Sequence, residues 1–238
     1  MERLDKLLAA SGMTRSEARK LVSAGRVSVR GAVVKDAGAH CTADEVTLDG
    51  HPLVITTELT LMIHKPAGVV TATEDKRLPT VVDLLPEEQR LKKLGPVGRL
   101  DRDVTGLVLL TTDGELAHRL ISPKRHADKC YRAVCEGRLT DEHIRAFASG
   151  MDLGDFTAKP AELTILRAGD ETSEADVILR EGKFHQVKRM FAAIGHPLVS
   201  LKRLRIGNVT LDERLAPGES RILTEEELDG LYRLVGMR

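Results

Sequence analysis

The feature that most constrains this chain is a polar, glycine-bounded loop that runs directly into an apolar segment. The loop spans residues 98–105 and carries Asp101 and Asp103, and the segment Gly106–Thr112 is followed by the dipeptide Asp113-Gly114. A short apolar run that ends at such a dipeptide predicts a buried strand. A carboxylate placed just before that strand has the rigid support that a catalytic group needs. A charged surface turn before a core strand is the alternative that this segment leaves open.

Length and composition limit the class of protein. The 238 residues suffice for one domain of about 170 residues and a smaller one of about 60. A hydrophobic fraction of 42% excludes wholesale disorder. No apolar stretch approaches the roughly 18 residues of a membrane span, and the charged start Met1–Lys6 leads into no secretory signal. Three cysteines without a C-x-x-C pair predict neither a disulfide framework nor structural zinc. We therefore expect a cytoplasmic protein without membrane association.

The distribution of charge is more informative than its sum. The chain has 36 basic and 36 acidic residues, yet residues 1–35 hold eight basic and three acidic ones, and residues 183–205 hold six basic and none acidic. Residues 118–132 add a third basic stretch. Such blocks favour one face that binds a polyanion, with solvated helix faces as the alternative.

The first 55 residues predict two short helices and a small hairpin. Thr14 and Glu17 have the spacing of a capping box at the start of the second helix. The outer face of that helix carries Arg15, Arg19 and Lys20. Further predictions here are a first helix with Leu4, Leu7 and Leu8 that ends at Gly12, burial of Ala18, Leu21 and Val22, and a strand Arg26–Arg30 that turns at Gly31.

Residues beyond 58 predict a strand-rich, mixed α+β region. The predicted elements are a strand Leu61–Ile63 with a turn over 64–68, a helix Glu115–Ile121 that ends at Ser122-Pro123, a strand Lys129–Glu136 with Tyr131, Ala133 and Cys135 on one face, and a helix Gln186–Ile194 with Val187, Met190, Phe191 and Ile194 as its apolar stripe.

The amino-terminal segment resembles the S-four-type RNA-binding domain. The resemblance rests on residues 3–8, Ser16–Arg19, Gly25–Val29 and Gly31. It implies a small RNA-binding domain over residues 1–58, in which 54–58 form the linker.

The remainder resembles the pseudouridine synthases, in the branch typified by the small-subunit rRNA enzyme RsuA. The matching segments, in order, are His64–Gly68 (motif I), Gly98–Gly114 (motif II), Ser122-Pro123 with Lys129–Tyr131, Glu181–Phe191 (motif III), then Leu201, Arg203, Ile206, Gly207 and Leu215–Gly218. The resemblance implies a catalytic domain over 59–238, built on a mixed, mainly antiparallel sheet with flanking helices. It also implies that a uridine of 16S rRNA is isomerised to pseudouridine without a cofactor or metal, with the RNA of an assembling small subunit as the expected partner.

The same resemblance implies the catalytic residues. Asp101 matches the essential aspartate, which either attacks the ribose C1′ or abstracts a proton to give a glycal, and Asp103 is its competitor at i+2. Lys188 occupies the position of the basic residue that keeps this carboxylate charged in a desolvated pocket. Tyr131 matches the tyrosine that stacks on the target uracil.

Other residues are expected to bind RNA or to shape the site. Arg99 contacts either the flipped nucleotide or a phosphate, Lys183 and Arg189 bind substrate, and Thr105 shapes the loop. Arg15, Arg19 and Lys20 dock the RNA through phosphates. His185 and Gln186 are expected to be structural, and the protein to be a monomer.

Three alternatives remain at this point. The first is the same reaction on a 23S rRNA uridine. The second is a non-catalytic RNA-binding assembly factor, which would not need Asp101, Tyr131 and Lys188 together. The third is a glycoside hydrolase that uses Asp101 and Asp103, although such carboxylates are usually about 5 Å or more apart on separate elements.

Overall fold

The structure, a computed structural model, describes residues 1–11, 13–53, 58–91, 93–122 and 127–238. These residues group into two compact units, Met1–Leu59 with Pro86–Lys93, and Thr60–Leu85 with Leu94–Arg238. The boundary expected after residue 58 stays a prediction, and the grouping differs from it by assigning 86–93 to the first unit. Three predictions fall outside the described residues. They are the end of the first helix at Gly12, most of the linker (54–57), and the segment 123–126, which contains Pro123 and two basic residues.

The first unit contains two helices and short strands. Its elements are β1 (Glu2–Arg3), α1 (Leu4–Ala10), α2 (Arg15–Ser23), β2 (Val27–Val29), β3 (Ala32–Val33), β4 (His40–Cys41), β5 (Val46–Leu48) and β6 (His51–Pro52). β3, β2, β5 and β6 form a four-stranded antiparallel sheet, and β1 pairs with β4.

Local signals account for most of this unit. Thr14 accepts from the Glu17 amide and Glu17 from the Thr14 amide, so the predicted capping box is confirmed. The two-residue turn between β2 and β3 places Arg30 at φ 53° and Gly31 at φ 78°, as a hairpin turn with two left-handed residues requires. Leu21 was expected to be buried with Ala18 and Val22, but it is only half-buried.

The second unit is built around a nine-stranded sheet. Its strands and helices are β7 (Thr60–Lys65), β8 (Gly95–Pro96), β9 (Thr105–Thr111), α3 (Gly114–Ile121), β10 (Lys129–Glu136), α4 (Asp141–Ser149), β11 (Met151–Asp152), β12 (Thr157–Ala158), β13 (Glu162–Ala168), β14 (Thr172–Leu179), α5 (Gln186–Ala193), β15 (Leu198–Ile206), β16 (Val209–Thr210), β17 (Ser220–Ile222) and α6 (Glu225–Leu234). The sheet runs β13-β14-β10-β15-β9-β7-β17, with β16 beside β15 and β8 beside β9, while β11 and β12 form a separate pair.

Most neighbouring strands are antiparallel, and β15 runs parallel to β9. The predicted fold class, a mixed and mainly antiparallel sheet with flanking helices, is therefore confirmed. The bounds expected for β10 are confirmed, and the expected helices start or end within one residue of α3 and α5. The strand expected over 61–63 continues through His64 to Lys65, where a turn was expected, because these two residues pair with Leu107 and Gly106.

Burial explains why β9 is so apolar. Leu107 and Leu109 belong to a core that α3 and α6 help to build, through Leu116 and Leu231 among others. The alternate residues Val108 and Leu110 are also fully buried. A strand covered on both faces needs apolar residues at every position, which is the reason for the unbroken run.

Gly106 is required at the start of β9. It has φ 104°, and a Cβ there would overlap the backbone carbonyl and amide of Arg203 on β15. Only glycine permits both this conformation and this approach of two backbones. The parallel pairing that sets the position of the preceding loop thus depends on one residue. Among the described residues, no helix has the length and apolarity to cross a membrane.

Candidate active site

A cleft in the second unit brings together most of the residues that the sequence singles out in that part of the chain. Its empty volume is about 480 Å³. The polar residues that line it include Arg99, Asp101, Tyr131, Lys183, His185 and Lys188. The apolar part of its wall consists of Leu100, Val104, Leu179, Val187 and Leu201.

Asp101 lies between two cationic or potentially cationic groups. Its Oδ2 is 3.1 Å from Lys188 Nζ, and its Oδ1 is 3.4 Å from His185 Nε2. The Asp101 side chain is 31% exposed, so water reaches the carboxylate and the pairing is only partly desolvated. The residues come from two separate elements, because Asp101 precedes β9 while His185 and Lys188 lie at the start of α5.

Lys188 binds Asp103 as well as Asp101. Its Nζ donates to the two oxygens of Asp103 at 2.7 and 2.9 Å. Burial alone would lower the pKa of Lys188, but its hydrogen bonds to Asp103 and Asp101 outweigh burial and raise the pKa above the usual value. The hydrogen bond from Lys188 also holds the pKa of Asp103 below its usual range. Lys188 is therefore a cation at neutral pH, shared by two carboxylates.

Asp101 and Asp103 differ in their surroundings. The Asp103 side chain is 73% exposed, against 31% for Asp101, and Asp103 does not line the cleft with the residues named above. The Asp101 carbonyl accepts from the Val104 amide at 3.1 Å, so the chain turns between them and does not extend as a strand. Asp101 and Asp103 therefore do not share one face of an extended strand.

His185, expected to be structural and not an acid–base group, lies against the Asp101 carboxylate, a contact that the sequence did not indicate. It has φ 51° and ψ 28°, which is the left-handed region, and it immediately precedes α5. That conformation is uncommon for a residue with a side chain and tends to occur at functional sites. Gln186 has the structural contacts expected of it, since it donates to buried Glu181 at 2.6 Å and accepts from the Lys183 amide at 3.0 Å.

Two side chains that sequence reasoning did not assign hold the backbone of the Asp101 loop through hydrogen bonds. Lys65, fully buried at the end of β7, donates to the carbonyl oxygens of Pro66, Arg102 and Val104 at 2.9, 3.1 and 2.7 Å. Thr71 donates to the Leu100 carbonyl at 2.9 Å and accepts from the Leu100 amide at 3.1 Å. The available signal was a lysine that directly follows an apolar strand in motif I.

Tyr131 reaches the cleft from the central strand β10. It is 8% exposed and lies opposite Val177 of β14 and Arg203 of β15. Because β10 is paired on both sides and the side chain is almost fully buried, the Tyr131 ring has little freedom to move. The part of the ring that faces the cleft therefore has a fixed position. Arg99, by contrast, is an exposed side chain at the rim.

Thr105 and Arg189 lie outside the residues that line the described cleft. Thr105 opens β9 and pairs with Lys202. Arg189 forms an ion pair with Asp155, donates to the Leu153 carbonyl at 2.6 Å and lies 4.7 Å over the Phe156 ring. In this structure Arg189 therefore joins α5 to the segment between β11 and β12, an interaction that sequence reasoning did not anticipate.

Several basic residues of the first unit form ion pairs. Arg19 is 3.7 Å from the buried Asp5, which also accepts from Arg3 at 3.1 Å. Further ion pairs join Arg26 to Asp49 and Arg30 to Glu45. Part of the positive charge counted over residues 1–35 is thus balanced by carboxylates, two of which, Glu45 and Asp49, lie beyond residue 35. Arg15 and Lys20 are exposed on α2, as expected.

Within the described ranges, no three His, Cys, Asp or Glu side chains form a group that could hold a metal ion. The chemistry that the cleft itself offers is a carboxylate beside a lysine and a histidine, with an aromatic ring nearby. This combination can stabilise and position a nucleophile or base against a flat, polar ligand.

Two family models match the chain. Residues 59–193 match the RNA pseudouridylate synthase family, and residues 2–46 match the S4 domain. The first match contains the whole Asp101 loop, Tyr131 and Lys188.

Known proteins are similar over nearly the full length. The chain is 47% identical over 231 residues to a Bacillus subtilis protein named as the uncharacterized RNA pseudouridine synthase YtzG, covering 95% of this chain and 96% of that protein. It is 42% identical over 231 residues to ribosomal small subunit pseudouridine synthase A of Yersinia pestis, with the same two coverages. A crystal structure of a pseudouridylate synthase superimposes with a TM-score of 0.69 at 38% identity, covering 97% of this chain and all of the other.

Proposed function

Since the chain belongs to the RNA pseudouridylate synthase family, we propose that it isomerises a specific uridine of 16S ribosomal RNA to pseudouridine, with Asp101 as the catalytic carboxylate. Isomerisation of uridine in RNA follows from the family. The choice of small-subunit RNA is supported by the 42% identity, over 95% of the chain, to a relative named for that subunit. The observation that carries the catalytic assignment is the position of Asp101 in the cleft, 3.1 Å from Lys188.

The reaction moves one bond and conserves all atoms. The glycosidic bond from N1 to the ribose C1′ breaks, the uracil turns, and C5 bonds to C1′ while its proton is lost and N1 gains one. No oxidant, reductant or energy source is needed for this balance.

Asp101 supplies the base or the nucleophile in this scheme. In one route its carboxylate attacks C1′, and in the other it removes a ribose proton to give a glycal. Both routes need the carboxylate to be held in place, and the Lys188 ammonium lies 3.1 Å from it. The shared hydrogen bonds to Asp103 keep Lys188 charged and limit its motion.

Tyr131 supports the base during the reaction. The uridine must leave its stack before C1′ is accessible, at a cost of a few kcal/mol. A ring on a buried strand offers a surface to the extruded uracil, and stacking contributes about 1–3 kcal/mol per base. Arg99 at the rim is suited to the sugar-phosphate of the extruded nucleotide, and Lys183 to a neighbouring phosphate.

The S4 domain supplies RNA contacts of a different kind. Arg15, Arg19 and Lys20 share the outer part of α2 and would bind phosphates without reading sequence. The substrate in this scheme is rRNA of an assembling small subunit, and the enzyme acts as a monomer. Recognition of a structured ribonucleoprotein then requires docking contacts remote from the reacting base.

Pseudouridine mapping of rRNA from cells with and without the gene tests the proposal. Loss of one 16S site in the deletion strain, restored by the wild-type gene and not by Asp101→Asn, is the expected result. Loss of a 23S site would preserve the reaction and refute the small-subunit assignment. An unchanged map would refute the proposed substrate class and favour a binding factor, which RNA affinity measurements would then test.

A further inference from the structure

Phe184 is an aromatic ring exposed to solvent beside the active site. Its exposed fraction is 69%, whereas the two tyrosines, Phe147 and Phe191 are buried. The chain has only four phenylalanines, two tyrosines and no tryptophan. An exposed aromatic side chain is thus a rare feature of this protein, and it lies in the loop that leads into α5.

One face of the Phe184 ring is already stacked. The ring lies on the imidazole of His185 with 3.8 Å between centroids and an interplanar angle of 18°. The imidazole in turn has Nε2 3.4 Å from Asp101 Oδ1. The two rings therefore form a short stack that begins at the catalytic carboxylate and ends at an aromatic face in solvent.

The surroundings of this face favour an anionic ligand with flat rings. Lys183 precedes Phe184 and lines the cleft. Lys188 lies one turn farther along, where Asp101 and Asp103 share its charge. The segment 182–205 itself contains no acidic residue. A single ring beside a lysine is far smaller than the roughly 1,000 Å² that a stable protein–protein interface buries. A nucleotide combines a π-face for the ring with a phosphate for Lys183.

We propose that the Phe184–His185 pair is a stacking platform for a nucleobase that flanks the target uridine. This inference rests on the proposed function, since it requires an RNA substrate whose target base occupies the cleft. The platform binds the neighbouring base outside the cleft, and Tyr131 binds the target base inside it.

A stacking interaction with a flanking base acts equally on the bound substrate and on the transition state. Phe184→Ala should therefore raise KM by about tenfold or more and leave kcat nearly unchanged. Because the side chain is so exposed, the melting temperature of the free enzyme should not change. Phe184→Tyr should restore most of the catalytic efficiency.

Phe184→Trp provides a direct reporter, because the chain has no tryptophan of its own. Stacking of a base on the introduced indole should quench its fluorescence when the rRNA modified by the wild type is added. Leu166→Trp, at a 48% exposed position of β13, is the matched control and should show no such quenching.

Three results would overturn the platform while wild-type turnover stands. The first is that RNA does not quench the fluorescence of Phe184→Trp. The second is a wild-type KM for Phe184→Ala. The third is quenching that increases with protein concentration in the absence of RNA, which would assign the ring to contact with a second copy of the chain. A wild-type enzyme that forms no pseudouridine in any rRNA would instead refute the proposed function, and the platform with it.

Discussion

Lys65 Nζ donates to the carbonyl oxygen of Val104 at 2.7 Å, and so joins the end of β7 to the loop that carries Asp101. Two further carbonyls, those of Pro66 and Arg102, complete the three acceptors that an ammonium group needs. The Arg102 carbonyl also accepts from the Gly68 amide at 2.8 Å. Lys65 touches neither Asp101 nor the open cleft, and it acts as a positioning residue for the loop.

Lys65→Met should reduce both turnover and stability. The substitution leaves up to two buried carbonyl oxygens, those of Pro66 and Val104, without a donor, at about 1–3 kcal/mol for an unsatisfied buried group, while the Arg102 carbonyl keeps the Gly68 amide. We expect kcat to fall by tenfold or more, on the order of 1.4 kcal/mol per decade, with a smaller change in KM. Steady-state kinetics and chemical denaturation measure the two effects.

Lys76→Met is the matched control for this prediction, because Lys76 is exposed in the same unit. It should change neither quantity measurably. A Lys65→Met enzyme with wild-type kcat would contradict the positioning role even if its stability had fallen.

The stability of the protein should depend on Lys65 at alkaline pH. Burial lowers the pKa of Lys65 from 10.5 to about 8, against the opposing attraction of Asp103 and Asp101. Between these two values the unfolded chain binds more protons than the folded one, so stability rises with pH through this window. Below pH 8 the cost of the buried charge is fully present.

The difference between wild type and Lys65→Met isolates this effect from other groups that titrate. The free energy of unfolding of the wild type, minus that of the variant, should increase as pH increases from 8 to 10.5. Denaturant titrations of both proteins at several pH values provide the measurement. A difference that stays constant or shrinks over the window would show that Lys65 keeps its charge when folded.

Asp101→Asn should abolish pseudouridine formation and leave RNA binding within a few-fold of wild type. The amide preserves the size of the side chain but can act neither as the proposed nucleophile nor as the base. Asp103→Asn is the matched control, since Asp103 shares Lys188 but is 73% exposed. It should lose less than about tenfold in kcat, because Asn keeps one oxygen that can accept from Lys188 and an exposed ion pair contributes at most about 1 kcal/mol.

Single-turnover product formation and a filter-binding isotherm separate chemistry from binding for these two variants. Equal losses in both would assign the reaction to the pair of carboxylates and not to Asp101. Activity of a pure Asp101→Asn preparation would remove Asp101 from the mechanism altogether.

Arg15→Glu should weaken RNA binding and flatten its dependence on salt. Arg15 is exposed at the start of α2, and among the described residues it forms no ion pair that the substitution would break, whereas Arg19 is paired with Asp5. For every phosphate that the protein no longer neutralises, the slope of log affinity against log salt becomes shallower by about 0.7–0.9. Affinities measured at several salt concentrations, with kcat unchanged at saturating RNA, test this docking role.

Arg77→Glu changes the net charge by the same amount at an exposed turn of the second unit and serves as the control. If both reversals weaken binding equally, the effect is one of total charge and the α2 face has no special role. A wild-type slope for Arg15→Glu would remove Arg15 from the residues that bind RNA.

Some elements of this protein are determined by short stretches of sequence. The bounds of β10 follow from alternation over eight residues, and the start of α2 follows from a capping box in which Thr14 and Glu17 satisfy each other's backbone. The apolar run of β9 likewise predicts its burial. Each of these signals is local, because the interacting groups are within a few residues of one another along the chain.

The candidate site divides in the same way. Motif order indicates Asp101, Tyr131 and Lys188, and family resemblance attaches roles to them. Sequence reasoning could not show that Lys188 also binds Asp103, 85 positions away, or that Arg189 faces Asp155 and not the cleft. Nor could it show that His185 Nε2 lies 3.4 Å from Asp101.

The sequence by itself determined the periodic elements, the caps and the residue types that carry the chemistry. The tertiary structure alone decided which of those residues meet. Lys65 shows why: in the sequence it is one lysine after an apolar strand, and its three acceptors include carbonyls 37 and 39 positions away. Backbone carbonyls are the same at every position, so no residue type marks them as partners. Only the pairing of β7 with β9 brings that loop over the lysine and gives the buried charge its hydrogen bonds.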